Sequence, residues 1–287
     1  MQPGEAADEP EPGTGSITSD DSLREGELVI VGRIPTASNA TLVCEATPST
    51  GGSVRCVYKP IRGEVPLWDF PDGTLAGREV GSYLISEALG WHTIPTTVMR
   101  DGPLGPGMVQ RWIDTPDPDS GDLPAARIDL VDLCPPGTVP DNYRPILRAL
   151  DPLGEQVVLV HADDPRLLRM AVLDVILNNA DRKGGHVLEG LDGNVYGVDH
   201  GICLHAEDKL RTVLWGWAGD QIPGHLIADI AGLAEALESD NSQLRAALAP
   251  YITNDEIDAL TLRAIILAES GRLPLPPPHR PIPWPPF

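Results

Sequence analysis

The chain has 287 residues, with 42 Asp and Glu against 21 Lys and Arg, for a formal net charge of −21. A surface of that sign repels nucleic acid and anionic membranes, so neither is expected as a partner. No apolar run reaches the roughly 18 residues of a membrane span, and the acidic, Pro- and Gly-rich start is the opposite of a signal peptide; integral membrane association is not expected, and a cytoplasmic location is.

Residues 1–22 offer little to bury against the entropy of ordering and read as a disordered acidic tail. A first lobe is expected over 23–113. Strands at 27–33, 40–46 and 54–59 are separated by turns at 35–39 and at Gly51-Gly52, which makes an antiparallel meander. Cys44 and Cys56 face each other across one hairpin in this reading, as free buried thiols. A helix follows over 75–89, capped by Thr74 and ended by Gly90. Two further strands, 94–99 and 107–113, flank a turn at Asp101-Gly102. Residues 114–161 read as a Pro- and Gly-rich insertion with its own β-ribbon, turning at Asp151-Pro152-Leu153-Gly154. The second lobe, 162–271, is helical. Asp164 caps a helix that opens with Pro165 and ends at Asn178; helices at 226–237, 242–248 and 255–270 follow, the last with a Thr253 to Glu256 capping box and Gly271 as terminator. Residues 272–287 form a proline-rich tail that cannot be helical, either packed on the body through Trp284 and Phe287 or free to meet a partner.

Two carboxylates stand out. Asp181, in Asn179-Ala180-Asp181-Arg182-Lys183-Gly184-Gly185-His186, follows an apolar helix; Asp199, in Val198-Asp199-His200-Gly201, lies 18 residues later at the end of a strand. Singly, each reads as a solvated turn aspartate. Phosphoryl transfer needs one carboxylate to accept a hydroxyl proton and another to hold a divalent ion against phosphates. Lys59 ends the third strand, and Glu79 sits 20 residues later in the first turns of the first helix. A strand lysine held by a helix carboxylate is what a nucleotide clamp requires. Ser38 and Asn39 lie where a phosphate-covering loop would be, and Gln110 to Trp112 could meet an adenine edge or form ordinary buried strand. Trp215 and Trp217 read as core residues before a substrate wall, and His161, His205 and His225 as structural or surface residues. No glycine-rich dinucleotide fingerprint or P-loop is present.

In this order, Tyr58-Lys59-Pro60, Glu79, Asn179-Ala180-Asp181-Arg182 and Val198-Asp199-His200-Gly201 resemble the atypical kinases of the phosphatidylinositol 3-/4-kinase superfamily, with type II phosphatidylinositol 4-kinases and HipA-type kinases the nearer relatives. More narrowly, the chain resembles an actinobacterial phosphatidylinositol-kinase-like family of unknown substrate. The resemblance implies an α+β, two-lobed, protein-kinase-like fold, with an antiparallel sheet plus one helix in the N-lobe and a mainly helical C-lobe. It implies ATP as a cofactor, with Mg²⁺ or Mn²⁺. Lys59 would contact the phosphates, held by Glu79; Asp181 would be the catalytic aspartate and Asp199 a metal ligand. The superfamily's asparagine five residues after the catalytic aspartate is replaced here by His186, a second candidate metal ligand, and Lys183 replaces a common histidine. Lys183 could stabilise transferring phosphate or be a solvated loop lysine. The acceptor is expected to be a protein or small-molecule hydroxyl; a lipid substrate fits the −21 charge poorly. Nucleotide binding without transfer, and transfer of AMP, are the other readings.

Overall fold

The computed structural model describes residues 19–35, 39–49, 51–117, 128–239 and 241–287. The first element is a helix, α1 (Ser19–Glu25), so the last four residues of the expected disordered tail are ordered; residues 1–18 lie outside the described residues. The apolar anchor is Leu23, buried with Leu28, Cys44, Tyr58 and Val98. Arg100 closes the helix end by donating from Nη1 to the carbonyl oxygens of Leu23 (3.0 Å) and Gly26 (2.8 Å).

Then come β1 (Glu27–Arg33), β2 (Leu42–Thr47), β3 (Val54–Pro60), α2 (Leu75–Ala88), β4 (Thr97–Gly102) and β5 (Gly105–Arg111). The strands form one antiparallel sheet in the order β1-β2-β3-β5-β4. Cys44 and Cys56 are register partners on β2 and β3, both free, with burial pushing their thiols up to about 11 and about 12. The β4–β5 reversal falls on Pro103-Leu104 rather than Asp101-Gly102, because those two residues are paired with Pro106 and Gly105. Thr74 caps α2 by accepting from Gly77 N at 2.9 Å, and the Glu64 carboxylate accepts from the next two free amides, Leu75 N and Ala76 N.

The insertion is a three-stranded antiparallel sheet of β6 (Val131–Cys134), β7 (Tyr143–Leu150) and β8 (Gln156–Ala162), in the order β6-β8-β7. Its tight turn stands where expected, with Asp151 Oδ1 accepting from Leu153 N and Glu155 N. α3 (Pro165–Leu177) begins at an Asp164 cap and stops at Asn178, whose left-handed φ of 53° ends the helix. A short ribbon of β9 (Val187–Glu189) and β10 (Val195–Gly197) follows, then α4 (Gly224–Glu238), α5 (Gln243–Leu248) and α6 (Asn254–Ser270). The Thr253–Glu256 capping box and the left-handed Gly271 bound α6 as expected.

One apolar core joins Leu173 and Ile176 of α3, Ile230 of α4 and Leu260 of α6 to Tyr83 and Ile85 of α2 and Leu89 just after it. α2 therefore belongs to both lobes. Arg78 fastens it, donating to Cys203 O (2.9 Å) and to Glu256 Oε1 (2.6 Å). The proline-rich tail is packed: Pro281 O accepts from Thr212 N and Trp215 Nε1, and Pro286 O accepts from Gly184 N. The Phe287 ring lies on Gly184 so closely that a Cβ there would overlap it, while Trp284 is 84% exposed and anchors nothing. Among the described residues no helix is long and apolar enough to cross a membrane.

Arg78 and Glu256 are both buried, so removing one charge strands the other. Arg78→Leu should lower the unfolding free energy in urea by about 3–5 kcal/mol; a loss below about 1 kcal/mol, the scale of an exposed pair, would contradict this.

Candidate functional site

Alternation along β3 sends Cys56 and Tyr58 into the N-lobe core and leaves Lys59 on the opposite face. There its Nζ lies 2.6 Å from Glu79 Oε1 and 2.7 Å from Asp199 Oδ1. Burial alone would lower the Lys59 pKa, but Asp199 and Glu79 more than reverse this and hold it above its ordinary value. Burial pushes the Glu79 carboxyl up to about 7, against the pull of Lys59. Asp199 is held well below the usual carboxylate range, chiefly by Lys59. Its backbone has φ of 60°, a conformation non-glycine residues seldom adopt, and that turn aims the carboxylate back at β3.

The loop bearing Asp181 is built on a buried ion pair. Asp174 on α3 and Arg182 are both wholly inaccessible, with Asp174 Oδ1 2.9 Å from Arg182 Nη2. Arg182 Nη1 donates to His186 O and Val198 O, and Nη2 also meets His200 Nε2 at 2.6 Å. Asp174 further accepts from Asn179 Nδ2 and Thr212 Oγ1. Asn179 Oδ1 in turn accepts from Asp181 N at 2.9 Å. These contacts fix the chain on either side of both aspartates. Burial raises the Asp181 pKa, with Lys183, whose Nζ is 3.4 Å from Asp181 Oδ2, opposing it.

His186 bridges the two loops. Its Nδ1 lies 3.0 Å from Asp181 O, which can only accept, so Nδ1 carries the proton. Burial pushes its pKa down to about 4, which keeps the ring neutral and leaves a lone pair on Nε2, 3.3 Å from Asp199 Oδ2. An imidazole lone pair and a carboxylate oxygen that converge in this way suit a shared cation, and a ring proton donated to a carbonyl is the usual support of a metal-binding histidine. Among the described residues no cluster of three or more His, Cys, Asp or Glu side chains is arranged to hold an ion unaided. Mg²⁺ commonly takes one or two protein carboxylates and completes its shell with phosphate and water, which Asp199 fits; the His186 imidazole is a nitrogen donor that suits a softer divalent ion than Mg²⁺.

Lys59, Glu79, Asp181, Lys183 and Asp199 line one cleft of about 420 Å³ between the lobes. Asn39 lines it too, its Oδ1 accepting from Val65 N; Ser38 lies outside the described residues. Gln110 and Trp112 are not brought to this cleft. The Gln110 amide donates to Thr97 Oγ1 inside the sheet, the Arg111 and Trp112 N–H groups are bonded to Thr96 O and Arg55 O, and the Trp112 ring carries the Arg55 guanidinium. Trp215 and Trp217 are core residues, with indole N–H groups donating to Pro281 O and Asp163 Oδ1. His161 is buried, Nε2 accepting from Gly216 N and Nδ1 donating to Ala162 O. Asp174 escaped the sequence reading, and Asn179 and Arg182 stood there only within the Asn179-Ala180-Asp181-Arg182 motif, without their supporting role; the available signal for Asp174 was one carboxylate in the apolar run Leu173-Asp174-Val175-Ile176-Leu177.

The chain is 57% identical to Protein Rv2133c of Mycobacterium tuberculosis over 267 residues, 92% of this chain and 94% of that protein. The chain belongs to the Rv2133c family. No protein-family model matches it. Among solved structures, hydra Fam20 with sugar is similar over 87% of this chain and 86% of its own, at 13% identity and a TM-score of 0.49. The Helicobacter pylori proinflammatory kinase CtkA is similar over 85% and 97%, at 11% identity and a TM-score of 0.36. The family name carries no chemistry, so the reading of the cleft rests on its side chains.

Burial pushes His161 down to about 4 in the folded chain, whereas an unfolded histidine titrates near ~6.5. As pH falls below ~6.5 the unfolded state takes up the proton first, so His161 contributes stability that is full above that pH and lost down to about 4. Urea midpoints should fall from pH 7 to pH 5, with a slope from this group of up to ~1.4 kcal/mol per pH unit. His161→Gln, which keeps one donor and one acceptor, should flatten that slope; an unchanged slope would contradict the assignment.

Proposed function

We propose that the chain is an ATP-dependent phosphotransferase of the atypical kinase type, acting on a hydroxyl of a protein or small molecule. The observation that carries the reading is Lys59, which bridges Glu79 on α2 and Asp199 on the far side of the cleft, at 2.6 and 2.7 Å. A lysine kept charged by two carboxylates can neutralise nucleotide phosphate, and Glu79 holds it when Asp199 turns to other partners. Asp181 is the base: it lines the same cleft, and burial makes it more basic than a free aspartate. Lys183 beside it offers a second positive charge where charge develops on the transferred group. Mg²⁺ or Mn²⁺, held by Asp199 and His186, would draw charge from the phosphate oxygens. This reading agrees with the phosphatidylinositol 3-/4-kinase-like resemblance, while the −21 charge argues against a lipid acceptor. Four buried free thiols support a cytoplasmic setting.

A second reading, nucleotide binding without transfer, is favoured by one feature: Lys59 already holds one oxygen of Asp199, the carboxylate a metal would need. Thermal stabilisation by ATP without any phosphate transfer, across Mg²⁺ and Mn²⁺, would favour that reading, and mass analysis of self-modified protein separates phosphate from AMP as the group moved.

Asp199→Asn keeps size and shape but removes the charge that meets Lys59. Metal-dependent ATP turnover should fall by ~10²-fold or more with little change in melting temperature. Turnover equal to the unsubstituted protein would contradict the assignment of Asp199.

A further inference from the structure

A second cavity, of about 590 Å³, lies between the end of α3, the chain around 208–215, α6 and the start of the proline-rich tail. It shares no residue with the cleft. Five cations line it, Lys209, Arg211, Arg263, Arg272 and Arg280, against one carboxylate, Asp208. In a chain with twice as many acids as bases, such a cluster would ordinarily be neutralised by neighbours. Lys209 is, by Glu207 at 3.5 Å and Asp69 at 3.8 Å. Among the described residues Arg211, Arg263, Arg272 and Arg280 have no carboxylate within ion-pair distance.

Arg263 is held rigid by donation from Nε to Ile176 O and from Nη1 to His205 O, yet its buried Nη2 has no partner. Its guanidinium is thereby fixed in place at the cavity wall. Asn178, Ser270 and His279 also line it, and the rest of the wall is apolar. Trp215, Leu267 and Leu273 are buried, and Ile266 and Leu275 are among the exposed large apolar side chains of the protein. The volume falls in the ~300–1,000 Å³ range of small-molecule sites.

We propose that this cavity binds a small amphipathic anion, with a phosphate or carboxylate head on the arginines and an apolar body against Leu273, Leu275 and Trp215. Arg211 N donates to Asn179 O, and the Asn179 side chain accepts from Asp181 N, so the cavity wall is joined through Asn179 to the loop of Asp181.

The test uses 8-anilinonaphthalene-1-sulfonate, an aromatic sulfonate that becomes fluorescent in such sites, with energy transfer from tryptophan reporting proximity to Trp215. The folded protein should bind it at one saturable site, displaced by octyl phosphate but not by ATP or by equimolar inorganic phosphate. Arg211→Gln with Arg280→Gln should weaken binding at least about tenfold, while Lys59→Met leaves it unchanged; melting curves confirm that each variant is folded, and Arg280→Gln alone, on an exposed residue, serves if the pair is not. Undiminished binding in the arginine variants, or loss on Lys59→Met or with ATP, would overturn the proposal. Displacement by inorganic phosphate alone would overturn its apolar half.

Discussion

The guanidinium of Arg182 and the carboxylate of Asp174 are both sealed from solvent, and the site is arranged around meeting that demand. An unpaired charge at such a depth would cost several kcal/mol, so each donor must find an acceptor. Arg182 finds them on three segments: Asp174 on α3, the carbonyl of His186, and Val198 with His200 beside Asp199. Asp174 reaches a fourth through Thr212. The pair stabilises little beyond what its own desolvation costs. What it does is specify one arrangement, in which the loop of Asp181 and the turn of Asp199 are held at a fixed separation.

A similar constraint acts across the lobes. Glu79 can face Lys59 only because α2 is anchored from below, by its apolar face in the helical core and by Arg78 on Glu256. The cleft is thus walled by a sheet face, an immobilised helix and two loops pinned to a buried arginine. Preorganisation of this kind removes reorganisation at the moment charge is met, which is where electrostatic catalysis gains most. The tail adds a further support, since Pro286 O and Phe287 rest on Gly184, two residues from His186.

Much of this was legible in the sequence where the signal is local. Thr74, Asp164 and Thr253 announce helix starts, and the glycines or asparagine after each helix announce its end, because capping is settled within four residues. The order Lys59, Glu79, Asp181, Asp199 was readable as a set of residue types. What failed was whatever depends on distant partners. Leu23 orders α1 only because a pocket of Cys44, Tyr58 and Val98 awaits it. Gln110 was open to an adenine edge or to ordinary buried strand, and the choice fell to strand only because its partner Thr97 arrives on β4. Asp174 and Arg182 are eight residues apart on different elements, so no periodicity marks them as a pair. The arginines of the second cavity come from three stretches, Arg211 before α4, Arg263 on α6, and Arg272 with Arg280 on the tail, and meet only in the fold.

The central claim is that the cleft beneath Lys59 holds a metal-bound nucleotide. A crystal structure with a non-hydrolysable ATP analogue and Mn²⁺, read by anomalous scattering, tests it most directly. The account predicts a manganese peak shared by Asp199 and His186, with Lys59 turned from Asp199 to a phosphate oxygen while keeping Glu79. Nucleotide bound elsewhere, or a cleft in which Lys59 stays on Asp199 with no metal beside it, would contradict the account.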